Sequence, residues 1–194
     1  MQKKDKETYL PQLDLVVIGA STGGPFTLIT LLKSFKDINF PIVIAQHMHE
    51  IYTKDLVKDL HLETDHKIIE GHNNLLIQND HVVICRGGID SRICLENGNL
   101  TLKETVFSDH LPHPSIDVLF ESAAYLNKNV AGIILTGMGN DGCKGSQKLL
   151  ATNKIVIVQD PETCLAEDMP NTVIDQGSVS YVLTLSEIAS YLKG

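Results

Sequence analysis

Short, nearly unbroken apolar runs, each followed by a stretch with helical spacing, constrain this chain more than any other feature. Leu13–Gly19 (Asp14 apart), Pro41–Ala45, Val130–Leu135 and Ile155–Val158 are rich in valine and isoleucine and lack polar alternation. Such runs fit strands buried on both faces, which occur where helices cover both sides of a parallel sheet. Between them, Phe26–Phe35 places Leu28, Leu31, Leu32 and Phe35 at helical spacing. Ile51–Leu62 mixes Ile51, Leu56 and Leu60 with Lys54, Asp55, Lys58 and Asp59, and Pro114–Leu126 puts Ile116, Leu119, Phe120, Ala123 and Ala124 on one stripe. Gly142–Ala151 reads as another helix. The alternation predicts an α/β fold: a doubly wound, mostly parallel sheet with helices on both faces and right-handed crossovers.

The middle of the chain breaks this rhythm. His81–Cys85 and Ile93–Lys103 read as short strands, and Glu96-Asn97-Gly98-Asn99 carries an Asn-Gly hairpin signal. An antiparallel hairpin addition to the sheet fits better than a second domain. Ser186–Leu192 reads as a short helix with Ser186 as its N-cap. Residues 1–12 read as a solvated leader and residues 13–194 as one domain, with no internal repeat or linker.

Charge and cysteine usage narrow the function classes. With 24 acidic and 16 basic side chains the net charge is −8, against a general nucleic-acid binder or a partner of anionic membranes. No apolar run approaches the length of a membrane span, and no secretory signal opens the chain. Cys85, Cys94, Cys143 and Cys164 form no Cys-x-x-Cys pair, so free thiols fit better than a disulfide framework or a zinc ribbon. These features predict a soluble, cytoplasmic protein.

In open parallel sheets the ligand site lies beyond the carboxyl ends of the strands. The first strand is followed by Gly19-Ala20-Ser21-Thr22-Gly23-Gly24-Pro25, the second by Gln46-His47-Met48-His49, and the third by Thr136-Gly137-Met138-Gly139-Asn140-Asp141-Gly142. Gly19-x-Ser21-x-Gly23 matches the sharp strand-to-helix elbow that exposes a nucleophilic serine. A phosphate cradle at a helix N-terminus and a plain structural turn are its rivals, although no Gly-x-Gly-x-x-Gly or Gly-Lys-Ser/Thr sequence is present. His47 stands level with Ser21 as a general base; alternatively it is structural, or a metal ligand with His49. Two residues at i and i+2 of an extended segment point opposite ways, and no carboxylate-rich cluster completes a ligand set. Asp141 either caps the helix starting near Gly142 or reaches His47 to fix the imidazole tautomer. The order Ser, His, Asp differs from that of α/β-hydrolases.

Five segments in register carry a specific resemblance: Gly19–Pro25, Gln46-His47-Met48, Pro114-Ser115-Ile116-Asp117-Val118-Leu119-Phe120, Leu135–Gly142 and Met169-Pro170. From about Asp14 to Leu192 the chain resembles the catalytic domain of CheB, the chemotaxis protein-glutamate methylesterase. The resemblance implies a Ser21, His47, Asp141 triad. It implies hydrolysis of glutamyl γ-methyl esters on the cytoplasmic helices of chemoreceptors, and deamidation of receptor glutamines. Backbone N–H groups near Thr22, Met138 and Gly139 are the oxyanion-hole candidates, and neither metal nor other cofactor is required.

Four positions depart from the family pattern. His49 replaces a proline, Asp90 a histidine, His113 an arginine and Asp168 a glycine. A degenerate member acting as a receptor-binding or adaptor module is the non-enzyme alternative, and a nucleotide-binding domain is a third. Twelve leader residues are too few for the receiver domain and linker that precede this region in the family. The expectation is therefore an open catalytic face, with any receiver protein acting in trans.

Overall fold

The computed structural model describes residues 12–34, 38–105 and 112–193. Apart from Gln12 the expected leader lies outside them, as does Phe35 of the first helical stripe. The strands are β1 (Leu15–Ala20), β2 (Ile42–Gln46), β3 (Lys67–Glu70), β4 (Leu75–Leu76), β5 (His81–Ile84), β6 (Asp90–Glu96), β7 (Asn99–Thr105), β8 (Val130–Ile134), β9 (Ile155–Gln159) and β10 (Tyr181–Leu183). The helices are α1 (Gly24–Lys33), α2 (Thr53–Glu63), α3 (Ile116–Ala124), α4 (Cys143–Ala151), α5 (Asp168–Asp175) and α6 (Leu185–Lys193).

Seven strands form the main sheet in the order β10-β9-β8-β1-β2-β5-β3, and every pairing in it is parallel. Residue parity divides the core. Val16, Ile18, Ile42, Ile44 and Ile133 pack on one face beneath Leu28 and Leu32 of α1, Leu56 and Leu60 of α2, and Ile188 and Leu192 of α6. Leu15, Val17, Val43, Ile134 and Val156 pack on the other against Ile116 and Phe120 of α3, Leu149 of α4, Met169 and Val173 of α5, and the small sheet. Burial on both faces is why these strands read as continuous apolar runs. The doubly wound α/β architecture expected from that pattern is the one observed.

The middle of the chain needed correcting. His81–Ile84 is not part of the antiparallel addition: β5 sits inside the parallel sheet between β2 and β3. All four of its residues are buried, the signature of a strand covered on two faces. The antiparallel sheet is built instead from β6 and β7 with β4 on the other edge of β7. Its turn follows the Asn-Gly signal, with Asn97 at φ 50° and Gly98 at φ 83°, as a two-residue primed turn requires. At the last helix Thr184, not Ser186, is the capping residue. Thr184 Oγ1 accepts from Glu187 N while Thr184 N donates to Glu187 Oε2 at 3.0 Å, a reciprocal capping box.

Helices α3 and α4 lie unusually close. A Cβ placed on Gly145 would stand 2.5 Å from Phe120 Cβ and 3.1 Å from the Asp117 carbonyl oxygen, so only glycine lets the helices meet here. Gly145→Ala is expected to cost about 1–3 kcal/mol of stability through overpacking. In urea this reads as a lower midpoint with an unchanged m value.

Candidate active site

Strand β1 runs between β2 and β8, and that placement determines what surrounds Ser21. Ala20 pairs with Gln46 and Gly19 with Ile134, so the chain leaves β1 with His47 on one side and Thr136 on the other. His47 N donates to Ala20 O at 3.0 Å and Ser21 N to Thr136 O at 3.0 Å. Gly23, at φ 82°, supplies the left-handed turn that starts α1, with Pro25 in its first turn. Gly137 passes directly behind the serine: a Cβ there would lie 2.7 Å from Ser21 Cβ and 2.4 Å from Met169 Sδ. The Met169-Pro170 pair thus forms the floor under the third loop, with Met169 N bonded to Gly137 O at 3.0 Å.

His47 and Asp141 are in contact, with His47 Nε2 2.8 Å from Asp141 Oδ2 and the two side chains only 7% and 11% exposed. Asp141 does not act simply as the cap of the helix it precedes. Gly142 is the N-cap of α4 and makes no side-chain cap. The Asp141 carboxylate reaches instead to the start of α3, where Oδ2 accepts from Ile116 N at 2.7 Å and Oδ1 from Asp117 N at 2.9 Å. Gly142 N and Ser115 Oγ also donate to Oδ1, at 3.0 and 3.2 Å. Burial alone would push this carboxyl up, but the hydrogen bonds from His47, Asp117 and Ile116 outweigh it and hold Asp141 below its ordinary value. The ionised carboxylate accepts only, so His47 carries its proton on Nε2 and leaves Nδ1 as the basic nitrogen.

Ser21 Oγ and His47 Nδ1 take no hydrogen-bond partner among the described residues, so the serine–histidine link is not closed in this state. Catalytic hydrogen bonds commonly tighten only in the Michaelis complex. Thr22 and Met138 are exposed and Gly139 turns at φ 91°. The N–H groups of Thr22, Met138 and Gly139 are likewise without a protein acceptor among the described residues. These donors are available to a developing oxyanion. An open groove of about 580 Å³ borders Asp141 and is lined by Ser115, Asp117, Glu121 and Lys144 among others, but neither Ser21 nor His47 lines it.

Several residues that organise the site gave no clear sequence signal. The Gln46 side chain is one: Nε2 donates to Ser21 O at 2.9 Å and to His47 O at 3.1 Å, tying the Ser21 backbone to that of His47. Its traces were its place after a buried strand and its membership of the Gln46-His47-Met48 segment, neither of which gave its side chain a role. Thr136, fully buried, bonds through Oγ1 to Thr22 O at 3.0 Å and accepts from Ala166 N at 2.9 Å. Two of the departing positions prove to be partners. Asp90 Oδ1 accepts from His113 Nδ1 at 2.8 Å and from Ser115 N at 2.7 Å, which secures the segment leading into α3. His49 caps the 3-10 turn Glu50–Tyr52 by accepting from Ile51 N, and Asp168 supplies an acid to the first turn of α5, where the helix dipole favours one. Among the described residues no three His, Cys, Asp or Glu side chains converge as a metal site.

A family profile described as CheB methylesterase matches residues 16–192. The chain is 33% identical over 195 positions to the probable protein-glutamate methylesterase of Borreliella burgdorferi, covering 99% of this chain and 52% of that protein. It is 37% identical over 182 positions to a protein-glutamate methylesterase/protein-glutamine glutaminase of the same organism, covering 92% and 47%. The chain thus spans about half the length of the curated relatives it matches. Among solved structures, the CheB methylesterase catalytic domain of Thermotoga maritima superposes with a TM-score of 0.86 at 33% identity, covering 92% of this chain and 96% of that one.

Two neighbouring carboxyls give the stability of the fold opposite pH responses. Asp117, pushed up from 3.8 to about 6 by burial, with the nearby Asp141 charge adding to it, binds its proton more tightly folded than unfolded. Its contribution therefore declines as pH rises from about 4 to about 6. Asp141, held below 3.8, contributes stability that is present above that value and is lost as pH falls through its lowered value. In urea unfolding from pH 7 to 2.5, Asp117→Asn is expected to remove a decline on the pH 4–6 side, and Asp141→Asn a decline below about pH 4. The same pH dependence in both variants and the parent would contradict the assignment.

Proposed function

The chain belongs to the CheB methylesterase family, and from that premise we propose that it hydrolyses methyl esters of glutamate side chains on chemoreceptor helices in the cytoplasm, and deamidates glutamines at such sites. The observation that carries this reading is the 2.8 Å contact between His47 Nε2 and an ionised, helix-anchored Asp141, set beside Ser21 by the β1–β2 register. Ser21 Oγ attacks the ester carbonyl as His47 Nδ1 takes its proton. Asp141 fixes the tautomer and stabilises the imidazolium. N–H groups of Thr22, Met138 and Gly139 receive the charge that develops on the carbonyl oxygen. His47 then returns the proton to the departing methanol. In the second half-reaction it activates water against the Ser21 acyl ester, freeing the glutamate. Deamidation follows the same path with ammonia as leaving group.

Phe26 in the first turn of α1, Met138 after β8 and Leu165 after β9 stand exposed, and such side chains offer the apolar face of a helix-borne substrate a place to rest. No described helix is long and apolar enough to cross a membrane.

The test is methanol release from a methylated receptor cytoplasmic fragment. Ser21→Ala is expected to abolish release with stability nearly unchanged. Asp141→Asn is expected to reduce kcat by up to about 10⁴-fold. Because the amide nitrogen cannot accept from the helix N–H groups, it is also expected to cost about 1–3 kcal/mol of stability. Parent protein that binds the fragment but releases no methanol would favour an adaptor role instead.

A further inference from the structure

The reaction as drawn needs Asp141 to hold still, yet Asp141 belongs to a glycine-flanked loop, with Gly139 at φ 91° and Gly142 at φ 96°. What restrains this loop is the start of α4. Gly142 N bonds Asp141 Oδ1 at 3.0 Å. Three residues on, Gly145 N donates to Asp117 Oδ1 at 2.7 Å. Asp117 sits in the first turn of α3 and gives its own N–H to Asp141 Oδ1 at 2.9 Å. The Asp117 backbone therefore binds the Asp141 carboxylate while its side chain binds the helix that Asp141 precedes. Its carboxyl has no part in the chemistry, since neither Ser21 nor His47 bonds to it.

We propose that Asp117 is a positioning residue for the acid–base arm: its carboxyl locks the N-terminus of α4 onto α3, and that lock keeps Asp141 at bonding distance from His47. This rests on the esterase reading of the site. Titratable and charged groups facing the carboxyl are Glu121 on α3, Asp141 in the loop, Cys143 and Lys144 on α4, and Arg92 on β6 across the groove. Burial pushes Asp117 up to about 6, so at neutral pH it is ionised and adds a second negative charge beside Asp141.

The experiment compares the parent chain with Asp117→Asn, which keeps an oxygen for Gly145 N–H but no charge, and Asp117→Ala, which keeps neither. Each is read by kcat and KM for methanol release and by the 15N resonance of His47 Nε2 in the substrate-free protein. In Asp117→Ala, kcat is expected to fall about tenfold to 10²-fold, with KM changed less than about twofold and the Nε2 resonance displaced. Asp117→Asn is expected to recover most of the kcat and to keep the Nε2 resonance close to that of the parent. Parental kcat and an unmoved Nε2 resonance in Asp117→Ala would overturn the proposal, as would a loss of kcat matched by the unfolded fraction. Should the alanine variant not fold, Asp117→Ser decides, its hydroxyl being too short to hold Gly145 N–H: parental kcat with an unmoved Nε2 resonance overturns the proposal. If the parent releases no methanol, the esterase reading fails, and the Nε2 resonance still decides whether Asp117 positions the arm.

Discussion

Two carboxylates, each seated on the N-terminus of a helix other than its own, hold the working edge of this fold together. Asp141, just ahead of α4, satisfies the free N–H groups of Ile116 and Asp117 at the start of α3. Asp117 in turn satisfies Gly145 N in the first turn of α4. Both helices present the positive ends of their dipoles to the same small volume, so one negative charge there is well placed and two compete. The conflict resolves by environment. Asp141, with five donors, stays ionised below its usual range, while burial pushes Asp117 up to about 6, so that its charge forms only nearer neutral pH. Gly145 makes the arrangement possible, because any side chain there would hold α3 and α4 apart.

On the opposite side of His47 the control is through backbone. The Gln46 amide bridges the carbonyls of Ser21 and His47, and strand pairing places those residues side by side. With Asp141 on Nε2, the nitrogen left for the serine is Nδ1, the one nearer the backbone.

The buried strands and the residues at their ends were legible in the sequence because both are local signals. Apolar runs show double-sided burial, and the positions just past them are where an open α/β sheet presents chemistry. The destination of the Asp141 side chain was not legible locally. It looked like a cap for the helix next to it, whereas the helix N–H groups it serves belong to residues 24 and 25 positions earlier in the chain. Nothing periodic links such segments. The antiparallel assignment of His81–Ile84 failed because the neighbouring hairpin signal drew the strand toward it, although its unbroken Val-Val-Ile run already matched the parallel core. Strands β3 and β10, with four and three residues, are too short to show a period. Asp90 and His113, each an oddity alone, make sense as a pair that only the fold brings together.

The contact between His47 and Asp141 joins residues 94 positions apart, and the central strand β1 needs a neighbour from each half of the chain. Leu15–Gly19 pairs on one edge with β8, whose residues begin at Val130, while β2, on the other edge, begins at Ile42. As the chain leaves the ribosome from its amino end, β1, β2, β5 and β3 can associate long before β8 exists. Through that interval β1 shows an open edge to any passing strand, a hazard for aggregation. The serine and histidine can already be adjacent then, but the histidine has no carboxylate to hold it. The full set of Ser21, His47 and Asp141 is thus assembled only once the strand that closes the sheet, and the loop after it, have been made.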